Sequence, residues 1–125
     1  MFVRLCRFAA CCLCCLIASS TAGWAQESHL DTPGEVPKYV REPIPLYTAG
    51  LGPFHRPISS KNAEAQKFFD QGFQMMYAFA RIDAIRSFRE AWKRDGDCAI
   101  CYWGEAWAWG SYLNAPMSPD EAPHA

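Results

Sequence analysis

The sequence has no excess of charge of either sign, since its 125 residues include 12 Lys and Arg against 13 Asp and Glu. Proteins that bind nucleic acid through its phosphates carry a basic stripe, whereas here the basic residues are interspersed with acids, as in Lys93-Arg94-Asp95. We therefore expect no nucleic-acid partner. A long hydrophobic run is also missing, because Phe8–Ala18 falls well short of the roughly 20 apolar residues that span a bilayer. We expect no stable membrane anchor.

Cysteine is scarce beyond the N-terminal region, because five of the seven cysteines lie before residue 16. Residues 1–25 have the layout of a secretory signal peptide, with two arginines, an apolar run and small residues at the last and third-last positions. This layout predicts cleavage after Ala25 and export of a mature chain that begins at Gln26, to the periplasm or out of the cell. A retained anchor and a lipoprotein signal are the alternatives. The mature chain would keep only Cys98 and Cys101.

Regular structure is not expected from residue 26 to residue 60, because prolines interrupt this segment repeatedly. The prolines are Pro33, Pro37, Pro43, Pro45, Pro53 and Pro57. Each one fixes its own φ and lacks an amide donor, so the segment is predicted to be an extended arm or linker. We expect residues 46–58 to lie along the following helices and residues 26–40 to be mobile. A wholly disordered linker is the alternative.

Helical periodicity begins after Ser60, with Asn62 as a candidate N-cap. Apolar residues at intervals of three and four predict a first helix that ends at about Phe79 and a second that ends at Lys93-Arg94. Only Ala80-Arg81 separates the two, so they must form a tight antiparallel hairpin. A third helix is predicted from about residue 98 to residue 113, before Asn114-Ala115-Pro116. The predicted class is all-α.

Small and aromatic residues recur in this hairpin at the places where paired helices touch. A 34-residue frame that starts at Ala65 has the bulky Phe68 at its fourth position and the aromatic Phe88 at its twenty-fourth. Its eighth, twentieth and twenty-seventh positions are the small residues Gly72, Ala84 and Ala91. A second frame, from Ala99, places Tyr102, Ala106 and Trp109 at its fourth, eighth and eleventh positions. This pattern resembles the tetratricopeptide repeat.

Over residues 46–116 the sequence resembles a more specific group of proteins that contain this repeat. The segments 51–59, 62–72, 84–91 and 97–106 look like the opening of a large group of secreted bacterial tetratricopeptide-repeat proteins. Departures fall at the turns, where Ala80-Arg81 replaces the Asn-His usual in that group and Gly96 replaces a proline. Members usually continue with further repeats, so the resemblance implies a truncated solenoid. Its parts would be one complete repeat and the first helix of a second within residues 61–116, followed by a tail at 117–125.

A solenoid of this length would leave tryptophans without cover, since each repeat packs only on its neighbours. We expect Trp103, Trp107 and Trp109 to present apolar surface. Three explanations account for this apolar surface: the chain is a fragment of a longer reading frame, it self-associates, or the arm at 46–58 covers the tryptophans. The cluster at 102–112 is predicted to be an inter-repeat core, and binding of an apolar ligand or peptide is the alternative.

Cys98 and Cys101 are the only reactive-looking pair. A structural disulfide is our first interpretation in an oxidising compartment, and idle thiols, a metal site and thiol exchange are the alternatives. A c-type haem is excluded because residue 102 is Tyr rather than His. Zinc needs four ligands, and the chain adds only His29, His55 and His124. We predict no metal and no cofactor.

No other residues are placed for catalysis. His55 has no nucleophile or carboxylate pair to assist and is expected to face solvent. Glu64, Asp70, Asp83 and Glu90 are predicted to be exposed helix charges. The sequence therefore favours an exported, non-enzymatic helical-repeat module for protein–protein interaction or assembly. Its partner would be a protein or peptide, further repeats of a longer chain, or a second copy. A periplasmic thiol-redox or metal-handling protein that uses Cys98 and Cys101, and a truncated fragment without independent function, are the alternatives.

Overall fold

The computed structural model of the protein describes residues 35–125; residues 1–34, with the predicted signal peptide and the start of the predicted arm, lie outside that range. Its elements are α1 Lys38–Arg41, α2 Ala63–Tyr77, α3 Arg81–Arg94, α4 Ala99–Trp109 and a 3-10 helix, Ala122–His124. Within residues 35–125 there is no β-strand beyond an isolated bridge between Tyr112 and Ala115. The predicted all-α class is confirmed. None of the helices in this range is long and apolar enough to cross a membrane.

Helix α2 begins where the sequence predicts and ends two residues earlier. The side chain of Asn62 accepts hydrogen bonds from the amides of Glu64 and Ala65, which fixes the first turn. At the other end Phe79 has a φ of 63°, in the left-handed region. The Phe79 amide donates to the Met76 carbonyl and the Ala80 amide to the Met75 carbonyl, which is the Schellman pattern. This cap closes α2 at Tyr77, two residues before the predicted end at about Phe79.

The core lies between α2, α3 and α4. Helices α2 and α3 form an antiparallel hairpin, and α4 packs mainly on α3 and also on α2. The hydrophobic residues that are buried in it come from all three helices and from the arm: Val40, Ile44, Phe68, Phe69, Met75, Met76, Ala84, Ile85, Phe88, Ala91, Cys98, Cys101, Ala108 and Trp109.

Helix α4 is shorter than predicted at its C-terminus. It ends at Trp109 because Gly110 is extended, with a ψ of −178°, and turns the chain away from the helix axis. Tyr112 and Ala115 then exchange two backbone hydrogen bonds across a tight turn. The predicted continuation to Leu113 is therefore wrong.

The arm is packed from an earlier residue than the sequence suggests. Val40 and Ile44 are buried, and Val36 packs against the core. The guanidinium of Arg86 on α3 donates to the carbonyls of Glu42 and Pro43, at 3.0 and 2.7 Å. The short helix α1 forms among the prolines because Pro37 stands at its N-cap, where the missing amide costs nothing.

The tail at 117–125 covers Trp109. The ring of His124 lies 4.8 Å from the ring of Trp109, and Glu121 forms an ion pair with Arg81. Trp109 is only 2% exposed. The expectation that Trp109 lacks cover is corrected: the tail, rather than the arm, closes this part of the core.

Candidate interaction surface

The three helices interlock at the ring of Phe88. A Cβ atom at Gly72 of α2 would stand 2.9 Å from this ring, and one at Gly104 of α4 would stand 2.5 Å from it. Both glycines are therefore required by close approach. The three atoms nearest to such a Cβ at Gly72 all belong to Phe88, the aromatic position of the 34-residue frame. Gly104 was not predicted from the sequence, because the second frame places its small position at Ala106, two residues later.

Of the other residues that the sequence predicts to pack between repeats, some are buried and two are not. Phe68, Ala84, Ala91 and Trp109 are buried, whereas Ala106 is half-buried. Tyr102 is 44% exposed and lies outside the core. Its ring instead stacks on Trp92, with the ring centroids 5.2 Å apart.

Aromatic side chains form a continuous row where α2 and α4 lie side by side. Trp103 and Trp107 stack at 5.4 Å, and the Trp107 ring is 5.5 Å from Phe73 and 6.2 Å from Tyr77. Phe54 of the arm stacks flat on Phe73 at 4.9 Å. Tyr77 is 70% exposed and Trp103 47%. We call these five side chains the aromatic surface.

The arm crosses α2 as an extended strap, residues 45–58, whose backbone is held by side-chain amides. The amide group of Gln71 accepts from the Tyr47 N–H at 2.8 Å and donates to the Pro45 carbonyl at 3.0 Å. Gln66 repeats the arrangement, accepting from the Ile58 N–H and donating to the Arg56 carbonyl. The strap is thus attached to α2 through its main chain at two points.

A third attachment joins the strap to Asp70. The carboxylate of Asp70 accepts from the Arg56 N–H at 3.0 Å, and its other oxygen lies 2.8 Å from Nδ1 of His55. The side chain of His55 is 59% exposed, whereas that of Asp70 is only 14% exposed. The prediction that Asp70 is an exposed charge is wrong, because its oxygens are used to hold the strap.

Two hollows lie on either side of strap residues Leu51 and Gly52. The apolar hollow, about 540 Å³, has walls from Phe54, Phe73 and Tyr77. The polar hollow, about 250 Å³, is lined by strap residues together with Lys67, Asp70, Gln71 and Gln74 of α2. They share Leu51, Gly52 and Gln74. The two hollows therefore adjoin each other at these three residues.

A buried carboxylate joins α3 to α4. Glu105 forms an ion pair with Arg89, and one of its oxygens is 2.5 Å from the indole nitrogen of Trp92. The indole nitrogen of Trp109 is 3.4 Å from the other oxygen. Neither side chain of the ion pair is more than 14% exposed. Glu105 was not identified from the sequence, where an isolated acid on an apolar helix has no partner in view.

Glu90 is also buried, at 7% exposed, so its predicted exposure is wrong. Its carboxylate pairs with Lys93 at 2.8 Å and with Arg94 at 2.6 Å. Burial disfavours the charged form of Glu90, but hydrogen bonds and charge attraction from these two partners outweigh it and hold the pKa of Glu90 below its ordinary value.

The sulfur atoms of Cys98 and Cys101 are bonded to each other at the start of α4. Both residues are buried, at 2% and 0% exposed. In residues 35–125 no three His, Cys, Asp or Glu side chains are grouped so that they could hold a metal ion. His55 and His124 lie on the strap and in the tail, and His29 lies outside the described residues.

The chain was compared with protein-family models, curated proteins and solved structures, and none of them matches it. The tetratricopeptide resemblance therefore depends on the residues and spacings given above.

Proposed function

We propose that the protein is an exported, non-enzymatic module of tetratricopeptide-like helical repeats that binds a protein partner. The observation that carries this proposal is the aromatic surface, where five neighbouring rings line one side of α2 and α4. Aromatic side chains are enriched among the residues that dominate binding energy at protein interfaces. An exposed cluster of them on a small soluble protein indicates an interaction site.

The repeat interpretation is supported by the way in which Phe88 is enclosed. Its ring lies against Gly72 of α2 and Gly104 of α4, so α3 is in close contact with the helix before it and with the helix after it, although Gly104 stands two residues before the small position of the second frame. That is the packing expected when a hairpin is followed by the first helix of a second unit. The aromatic surface then belongs to the paired first helices, α2 and α4.

Thiol exchange is less well supported than protein binding. An attacking thiolate must reach a disulfide sulfur directly, and neither Cys98 nor Cys101 is more than 2% exposed. We therefore assign the pair a structural role, which is to fix the N-terminus of α4 against the core. This assignment would be overturned if both cysteines reacted with a thiol reagent in the folded protein without prior reduction.

The export part of the proposal depends on the signal-like layout of residues 1–25. We expect the mature protein from the producing cell to begin at Gln26, as measured by intact mass spectrometry. Recovery of the chain with Met1 from the cytoplasm would contradict export.

The binding part can be tested by photo-crosslinking in the producing cell. A photoreactive amino acid replaces Trp103 in one variant and Lys93, on α3, in a matched control. We expect a discrete protein adduct at position 103 and none at position 93, with the partner identified by mass spectrometry. Absence of an adduct at position 103 under conditions where the variant is folded and exported would contradict the proposal.

A further inference from the structure

The strap and α2 together enclose a site that continues from the aromatic surface. The apolar hollow has no ionisable side chain among its lining residues apart from the phenol of Tyr77. Gln74 supplies a polar group to its wall, and no donor within residues 35–125 bonds to its Oε1 atom. An apolar hollow with one free acceptor suits a large aromatic side chain that carries an N–H or O–H donor.

Two cations beside these hollows, Arg56 and Lys67, form no ion pair with a carboxylate of residues 35–125. Every other arginine in residues 35–125 forms an ion pair with a carboxylate, but Arg56 does not. Its guanidinium instead lies over the ring of Phe73, 5.6 Å from the centroid. Lys67, in the contiguous polar hollow, also forms no ion pair with a described residue.

Asp70, which lines the polar hollow together with Lys67, is held by the strap. Asp70 accepts from the Arg56 N–H and contacts His55, so its oxygens are directed to the strap. Arg56, over a wall residue of the apolar hollow, and Lys67, in the polar hollow, exceed the carboxylate of Asp70 by one positive charge. A partner with a carboxylate next to an apolar side chain would complement both features.

We propose that the two hollows form one binding site for a partner peptide that carries a large aromatic side chain next to a carboxylate. The aromatic side chain occupies the apolar hollow, with its donor directed to Gln74 Oε1, and the carboxylate pairs with Arg56. This inference deepens the proposed function and depends on it, because it names the chemistry of the bound protein segment.

The test uses the full chain and three labelled probe peptides: acetyl-Gly-Asp-Trp-Asp-Gly, its Asn-Trp-Asn analogue and its Lys-Trp-Lys analogue. Fluorescence anisotropy should show saturable binding of the acidic peptide, about tenfold tighter than the neutral one, as one additional ion pair worth about 1.4 kcal/mol implies. The basic peptide should bind more weakly than the neutral one. Equal affinities for the three peptides would overturn the proposal.

Two variants locate the site. Gly52→Leu places a side chain in the hollow, where its Cβ would lie an ordinary 3.6 Å from Gln74; it should abolish binding of both the acidic and the neutral peptide. Arg56→Gln should weaken the acidic peptide about tenfold and leave the neutral peptide unchanged. Arg41→Gln, at an exposed arginine of α1, is the matched control and should change neither affinity.

The outcomes separate this inference from the proposed function. If position 103 crosslinks a partner but Gly52→Leu and Arg56→Gln bind the peptides as the wild type does, the hollow site is wrong and the binding function stands. Circular dichroism of Gly52→Leu checks that the variant is folded. If it is not folded, the Arg56→Gln result alone decides, since that change removes only the contact of the guanidinium with the Phe73 ring.

Discussion

Helix α2 is covered on two sides by structures of different kinds. On one side α3 covers it with side chains, where Phe69 and Phe88 pack with their rings 5.5 Å apart. On the other side the strap covers it with main chain, which Gln66 and Gln71 hold through paired hydrogen bonds. The first side is specified by the shapes of apolar side chains. The second depends on a few amide groups and would accept many strap sequences.

The two sides also differ in burial. From Pro45 to Pro57 no strap residue is fully buried, whereas the α3 side contains most of the core. Regions with little buried apolar surface open at lower free energy than the core does. We therefore expect substitutions on the α3 side to change global stability and those on the strap side to change the attachment of the strap.

The largest effect is expected from Gly104→Leu. A Cβ at this position would stand 2.5 Å from the ring of Phe88, which is itself enclosed by α2 and has no free space to move into. Overpacking of this kind costs about 3 kcal/mol of unfolding free energy, measured by urea denaturation. Gly96→Leu, in the turn before α4, has no atom within 4 Å of the added Cβ and is the control. Equal stability of the two variants would show that the interlock at Phe88 is absent.

A smaller effect is expected from Gln71→Leu on the strap side. Gln71 is 2% exposed, and the change leaves the Tyr47 N–H and the Pro45 carbonyl without their partner. It also removes the hydrogen bond that the Gln71 amide donates to the Ser87 hydroxyl of α3. The cost should be about 2 kcal/mol, with faster hydrogen exchange at Tyr47. Gln74→Leu is the comparison, because its amide bonds only within α2, to the Asp70 carbonyl. Unchanged exchange at Tyr47 in Gln71→Leu would mean that the amide does not hold the strap.

These differences explain which parts of the fold were predictable. Apolar spacing predicted α2, α3 and most of α4, since periodicity reports the face that a helix buries. The side-chain contacts to the strap were not predictable, because glutamines such as Gln66 and Gln71 are also common on the solvent-facing side of a helix. The close approach at Gly104 depends on where α4 crosses Phe88, and that crossing is a tertiary property. The aromatic surface was visible in the sequence only as a cluster of Trp and Tyr, and Trp109 does not belong to that surface because the tail covers it.

A third effect, of opposite sign, is expected at the turn between α2 and α3. Phe79 adopts a left-handed φ that costs a bulky residue about 1 kcal/mol and costs glycine nothing. Phe79→Gly should therefore raise the unfolding free energy by about 1 kcal/mol, although it loses the edge contact with Tyr112. Phe79→Ala loses the same contact and keeps the strained backbone, so it should give no gain. A gain in both variants would assign the effect to the ring instead of the backbone.

The smallest effect concerns the charge of Glu90, which belongs to the α3 side but contributes through ion pairs rather than packing. Because Lys93 and Arg94 lower the pKa of Glu90 in the folded state, its contribution to stability is present above the ordinary value of about 4.5 and is lost as the pH falls through the lowered value. Glu90→Gln should therefore flatten the decline of the thermal midpoint below pH 4.5. It should leave the attachment of the strap unchanged. Glu42→Gln, at an exposed acid of the arm, is the matched control and should keep the wild-type decline. If the Glu90→Gln and wild-type curves were parallel down to acid unfolding, the ion pairs on the α3 side would contribute nothing, and the contrast between the two sides would be one of apolar packing alone.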